Sequence, residues 1–181
     1  MIAAGCDLST KALDLCVLDT ETLQAHHRRV ALTGRWWDDA GRMWQHLARI
    51  DPADDMDARD WLHHHRPAIL GIERPYGPHR QAIAALHTIL GAVLSALAID
   101  DSWLPTLEVR PAEMRKHLGL KGNAGKKELH RRVRELAHGE SPLAVWQAGT
   151  VTPWGPDALD ALAVAWAAYR MCQDAADRKE V

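Results

Sequence analysis

Three cysteines in 181 residues, a net charge of only −2, and no uninterrupted apolar run long enough to cross a bilayer set the first limits on this chain. Cys6, Cys16 and Cys172 show no Cys-x-x-Cys spacing, which argues against a zinc knuckle, and an odd count within apolar runs fits reduced core thiols of a cytoplasmic protein. The longest apolar stretch, residues 82–99, is interrupted by His87, Thr88 and Ser95, and no secretory signal is read at the start, so no membrane partner is expected. There is no linker rich in Gly or Ser and no internal repeat. With 47% apolar residues, the sequence predicts one compact domain over residues 1–181. The near-neutral charge does not by itself point to nucleic acid.

What the chain does have is four acids at telling places. Asp7 follows the apolar run from Ile2, and residues 13–18 return beside it as the second strand of a hairpin. The continuously apolar stretch 68–72 reads as a strand covered on both faces; it delivers Glu73 just before Pro75, which cannot donate to a sheet ladder. Asp157 and Asp160 stand three apart in a run of strong helix formers that opens with Pro156, a residue suited to the first helical position. Each of those two acids has a plain explanation, since a carboxylate near a helix N-terminus gains ~0.3–1 kcal/mol from the helix dipole. That does not account for Asp7 and Glu73, whose burial beside apolar strands is costly without a cation or hydrogen bonds. Taken together, the four favour a metal site. Oxygen ligands of this kind suit Mg2+ or Mn2+, and two such ions about 4 Å apart form a clamp for in-line attack of water on a phosphodiester.

Charge is also segregated. Residues 110–134 carry nine Lys or Arg against two Glu, a net +7, which leaves the remainder, with 13 basic and 22 acidic residues, at −9. Gly119, Gly122 and Gly125 within the basic segment let backbone amides and lysines approach phosphates closely. A basic helix alone is commonly a solvated face. Beside an acidic metal cluster, a DNA-binding surface is the better reading.

These residues carry a family resemblance. Asp7 after a strand, Glu73 ending the fourth, the stretch from Arg110 to Lys127 with its Lys-Gly-Asn-Ala-x-Lys core, and the closing Asp-x-x-Asp-Ala-Leu-Ala helix resemble, in order and along nearly the whole chain, the RuvC family of Holliday junction resolvases in the RNase H-like superfamily. The resemblance implies an α/β, RNase H-like fold: a five-stranded mixed sheet flanked by helices. It implies that Asp7, Glu73, Asp157 and Asp160 hold two Mg2+ or Mn2+ ions, and that Lys126 and one of Arg115 or Lys116 meet the scissile region or the DNA backbone, with Lys121 and Lys127 beside them. Tyr76, three residues after Glu73, falls where the family often places an aromatic that stacks at the junction centre; an ordinary turn aromatic is the competing reading. A homodimer that resolves four-way or other branched DNA by paired nicks is the implied activity, in recombination and repair.

The sequence also departs from the family. Leu8-Ser9 replaces the usual Pro-Gly after the first Asp, and the usual small residue later in the hairpin is replaced within Ala12-Leu13-Asp14, changes that point to a divergent, viral branch. Two other classes remain open: a catalytically dead architectural junction binder, and a general RNase H-like nuclease. A faint likeness of the first hairpin to the phosphate loop of actin-like ATPases fails on length, because those proteins enclose nucleotide between two such domains.

The expected elements are three antiparallel strands from about residue 2 to 33, helices near 38–50, 79–99, 111–118, 124–138 and 156–175, and strands near 67–73 and 105–110, with boundaries good to a few residues. The acid-rich stretch 51–60 reads as a solvated loop or helix start. His63, His64 and His65 cannot converge on one ion from a helix and are expected to pack or face solvent. Trp36, Trp37, Trp44 and Trp61 are expected in the core, and the helix over residues 82–99 is wide enough in its apolar face to be central or to meet a second subunit.

Overall fold

The computed structural model describes residues 1–9, 12–22, 24–31, 45, 55–74, 80–97, 104–138 and 155–178. Five strands, β1 (Ile2–Leu8), β2 (Ala12–Asp19), β3 (Ala25–Ala31), β4 (Ile69–Glu73) and β5 (Thr106–Val109), form one mixed sheet in the order β3-β2-β1-β4-β5. The first three are antiparallel, while β4 and β5 add in parallel to β1, as the covered apolar run ending at Glu73 predicts. Register sets the site. Asp7 faces Asp14 across β1 and β2, Gly5 faces Gly71 across β1 and β4, and Glu73 faces Val109 across β4 and β5.

Strand alternation then sorts side chains onto two faces. On one, Ala4, Cys6, Leu13, Leu15, Val17, Leu70 and Ile72 pack with Trp61 and Leu62 of helix α1 (Ala58–His65) and Leu90 of α2 (Arg80–Leu97). On the other, Cys16, Leu18 and Val109 meet the long closing helix α5 (Pro156–Asp177), with Met114 of α3 (Pro111–His117) and Leu129 and Val133 of α4 (Lys126–His138). Gly5, Asp7, Asp14, Gly71 and Glu73 all belong to this second face by parity.

The two glycines let α5 lie directly on the sheet. A Cβ at Gly5 would sit 2.1 Å from the Ala161 carbonyl oxygen and 2.4 Å from the Ala165 nitrogen; at Gly71 it would sit 2.8 Å from Ala168 Cβ. Ala158, Ala161, Ala163, Ala165, Ala167 and Ala168 are buried along the helix, so small residues meet glycine on a long, close interface. Pro156 takes the first helical turn as expected, behind Gly155 as N-cap.

Element boundaries shift by one or two residues. α2 ends at Leu97 and β4 begins at Ile69; α4 begins at Lys126 because the Gly125 carbonyl already accepts from the Glu128 and Leu129 amides. Within the acid-rich stretch, Asp57 caps α1 by accepting from the amides of Arg59 (2.9 Å) and Asp60 (2.8 Å), so the acids there start a helix. That helix buries Trp61; His63 and His64 are exposed, and His65 packs against Trp61 and His26. The helix expected near 38–50 lies outside the described residues except for Gln45, which is helical, and Trp36, Trp37 and Trp44 also lie outside them. Cys6 and Cys16 are buried free thiols, and Cys172 is half-buried. Among the described residues no helix is long and apolar enough to cross a membrane.

Candidate active site

Two parallel strands, side by side, end in the same pattern: Gly5-Cys6-Asp7 on β1 and Gly71-Ile72-Glu73 on β4. Because side chains two apart share a face, each acid projects on the side where its glycine receives α5. The N-terminal turns of α5 bring Asp157 and Asp160 to the same place. Asp7, Asp157 and Asp160 each offer a carboxylate oxygen, all within 4.8 Å of one another. Glu73 stands outside that tight trio but close enough for a side-chain hydrogen bond with Asp7, whose pKa its charge raises.

The electrostatics record the crowding. Asp7 is pushed from 3.8 up to about 8, first by burial, then by the charges of Glu73 and Asp160; Lys126 pulls the other way. Glu73 is also raised, by burial first and Asp160 next, with Lys126 and Arg115 opposing. Asp7 and Glu73, whose charged forms are disfavoured by burial and by neighbouring acids, make with Asp157 and Asp160 a ready site for positive charge. The donor set is hard oxygen throughout, so the residues fit Mg2+ or Mn2+ and not a soft-metal site.

Protein hydrogen-bond donors already stand around the acids. Asp160, 1% exposed, receives Lys126 Nζ on Oδ2 at 2.8 Å and His130 Nε2 on Oδ1 at 2.8 Å. Burial pulls the Lys126 pKa down, but its hydrogen bond to Asp160 and the fields of Asp160, Asp7 and Glu73 leave it raised overall. On the opposite flank, Arg29 of β3 reaches Asp157 Oδ2 at 3.0 Å and Asp14 Oδ2 at 3.4 Å. Asp14 itself is 2% exposed and also pairs with His27 Nε2 at 2.8 Å. Thus the buried Asp14 of the hairpin is compensated by two β3 side chains on the same sheet face.

The basic segment is held against α5 by Met114, Leu118, Leu129 and Val133, and by Trp166 Nε1 donating to the His117 carbonyl at 3.3 Å. Gly119, with φ of +75°, makes the left-handed turn between α3 and α4. Of the pair Arg115 and Lys116, Arg115 is the half-buried one whose charge reaches Glu73, and its Nε is buried without a hydrogen-bond partner among the described residues. Lys116, Lys121 and Lys127 are exposed. Tyr76 lies outside the described residues.

Sequence reading did not single out His130, Arg29, His27 or the role of Asp14. The signals were present: Lys126 and His130 are spaced by four on an amphipathic helix, His27 and Arg29 alternate on a strand, and the Gly-x-acid pattern occurs twice at strand ends.

No family model and no curated protein matches the chain. Solved structures do. RuvC of Thermus thermophilus superposes with a TM-score of 0.70 at 23% identity over 97% of each chain. The same organism's RuvC in complex with a Holliday junction substrate gives 0.66 at 20% identity over 96% of each. The yeast mitochondrial Holliday junction resolvase gives 0.51 at 12% identity, over 92% of this chain and 78% of the other. The chain therefore has the RNase H-like fold of RuvC, a five-stranded mixed sheet with flanking helices.

Proposed function

We propose that this chain is a metal-dependent, structure-selective endonuclease that nicks four-way or other branched DNA. The observation that carries the reading is the convergence of Asp7, Asp157 and Asp160 within 4.8 Å, beside Glu73, at the end of the sheet where the basic segment is docked. A Mg2+ or Mn2+ pair bound there supplies Lewis acidity toward the scissile phosphate and eases deprotonation of an attacking water. Asp7, Asp157, Asp160 and Glu73 would hold the ions. Lys126, whose side chain is largely exposed, and Arg115, whose charge reaches Glu73, are the cations best suited to meet a phosphate. Lys116, Lys121 and Lys127 extend positive charge outward for the backbone. That a protein of this fold is known with a Holliday junction supports branched DNA as substrate. A twofold dimer would present two such centres to the two strands of a junction.

The test is a denaturing gel of labelled four-way junction and matched linear duplex, each incubated with the purified chain and Mg2+ or Mn2+. Paired nicks near the branch point, absent from the duplex, are expected. Equal cutting of every DNA would replace the reading with a general nuclease, and binding without cutting would replace it with an architectural protein.

A further inference from the structure

Lys126 and His130 stand one turn apart on α4 and share one carboxylate, each 2.8 Å from a different oxygen of Asp160. Because an ionised carboxylate only accepts, the His130 ring must carry its hydrogen on Nε2 and donate it. The two partners differ in how they are held. The Lys126 side chain is 68% exposed and ends a flexible four-carbon stem; the His130 side chain is 11% exposed and lies beside the buried Leu129 and one turn from the buried Val133. The His130 Nε2 is taken up by Asp160 Oδ1, and the three carboxylate oxygens that gather within 4.8 Å come from Asp7, Asp157 and Asp160.

These facts separate two kinds of partner. An ammonium on a carboxylate oxygen supplies the positive charge that a divalent cation would supply, so the two compete for that oxygen. An imidazole N–H on the other oxygen does not compete; it fixes the plane and direction of the carboxylate, as outer hydrogen bonds to metal ligands do.

We infer that His130 and Lys126 divide the work at Asp160: His130 is a positioning residue that keeps Oδ1 whether or not a cation is present, and Lys126 is a stand-in cation that yields Oδ2 when Mg2+ or Mn2+ arrives and turns to DNA phosphate. The inference rests on the nuclease reading of the centre and adds to it a residue that touches neither metal nor DNA. It also orders the events, because Lys126 becomes free for phosphate only after the cation has taken its place.

The experiment is calorimetric titration of Mn2+ into the metal-free full chain without DNA. His130→Ala should weaken Mn2+ binding by roughly 10–100-fold, the usual cost of removing an outer partner of a metal ligand. His130→Gln, whose amide can still donate, should recover most of that loss, which a purely structural role would not predict. Lys126→Ala should bind Mn2+ at least as tightly as the parent chain while cutting junctions more slowly. Unchanged binding in His130→Ala overturns the positioning role, and a loss in Lys126→Ala equal to that in His130→Ala overturns the stand-in role. Junction cleavage by the parent chain, run in parallel, keeps the two levels apart. If the parent chain neither binds Mn2+ nor cuts, the nuclease reading falls and takes the inference with it. If it does both and the opposed pattern is missing, only the inference falls.

Discussion

The two faces of the sheet are packed by opposite rules. Under α1 and α2 the contact is made by large side chains, Leu13, Leu15, Val17, Leu70 and Ile72 against Trp61, Leu62 and Leu90. Under α5 the helix comes closest where the strands are bare, with Gly5 and Gly71 beneath Ala161, Val164, Ala165 and Ala168. Large side chains can repack when one neighbour changes; a helix resting on bare strands has no such play. All four candidate ligands lie on the second face or at its end. A site that must hold oxygens within a few ångströms is thus attached to the part of the core with the least freedom, and the adaptable part is kept away from it.

This contrast can be broken or sharpened by substitution, beginning with the largest expected effect. Asp7→Asn and Asp160→Asn should each abolish cutting while leaving junction binding, as read by paired gel and filter assays; retained cleavage in both would remove the site from this end of the sheet.

Next come two core changes that should part company. Trp61→Ala, on the large-residue face, should cost about 3–5 kcal/mol in urea unfolding, the usual range for a buried aromatic, yet leave Mn2+ affinity of the folded protein close to that of the parent. Gly5→Ala, on the close face, should cost at least the ~1–3 kcal/mol of ordinary overpacking and also weaken Mn2+ binding, because the helix that carries Asp157 and Asp160 must move. Equal effects of both on Mn2+ affinity would dissolve the distinction.

Removing metal should expose the strain in the acid cluster. Asp7 has an ordinary value of 3.8 and stands at about 8 in the fold, so between those limits the folded chain keeps a proton that the unfolded chain has lost. A raised pKa of this kind stabilises fully below the lower value and loses that contribution as pH rises through the upper one. In a chelator, the melting temperature should therefore fall from pH 5 to pH 8, more steeply than in Asp7→Asn, and Mg2+ at pH 8 should restore it. A metal-free melting temperature that climbs over that range would contradict the sign.

The smallest effect belongs to Arg29. It is 49% exposed and its contact to Asp157 is a surface pair, so Arg29→Ala should cost only ~0.2–1 kcal/mol in chemical denaturation, less at high salt. A much larger loss would mean that the buried Asp14 depends on Arg29 more than on His27.

The acids were legible in the sequence because each is announced by its own local element: an apolar strand before Asp7, another before Glu73, a helix-opening proline before Asp157 and Asp160. The elements themselves follow from periodicity and from Pro and Gly punctuation, and the basic segment follows from composition. Resemblance of the ordered motifs to RuvC then supplied the fold class, which the superposed structures bear out. The partners of the acids were another matter. Arg29 and Asp157 are 128 residues apart in the chain, and His130 and Asp160 are 30 apart. The four-residue spacing of Lys126 and His130 was visible, but nothing local said that it would face Asp160.

The chain by itself therefore determined which elements form, which residues face a core, and which carboxylates stand at element ends, since these depend on neighbours a few positions away. Tertiary structure alone decided that Gly5 and Gly71 would lie side by side under one helix, that Asp14 would be buried and answered by His27 and Arg29, and that Asp160 would be shared between a fixed imidazole and a movable ammonium. Those outcomes depend on strand register and on the angle at which α5 crosses the sheet, and both are set by close packing between segments far apart in sequence.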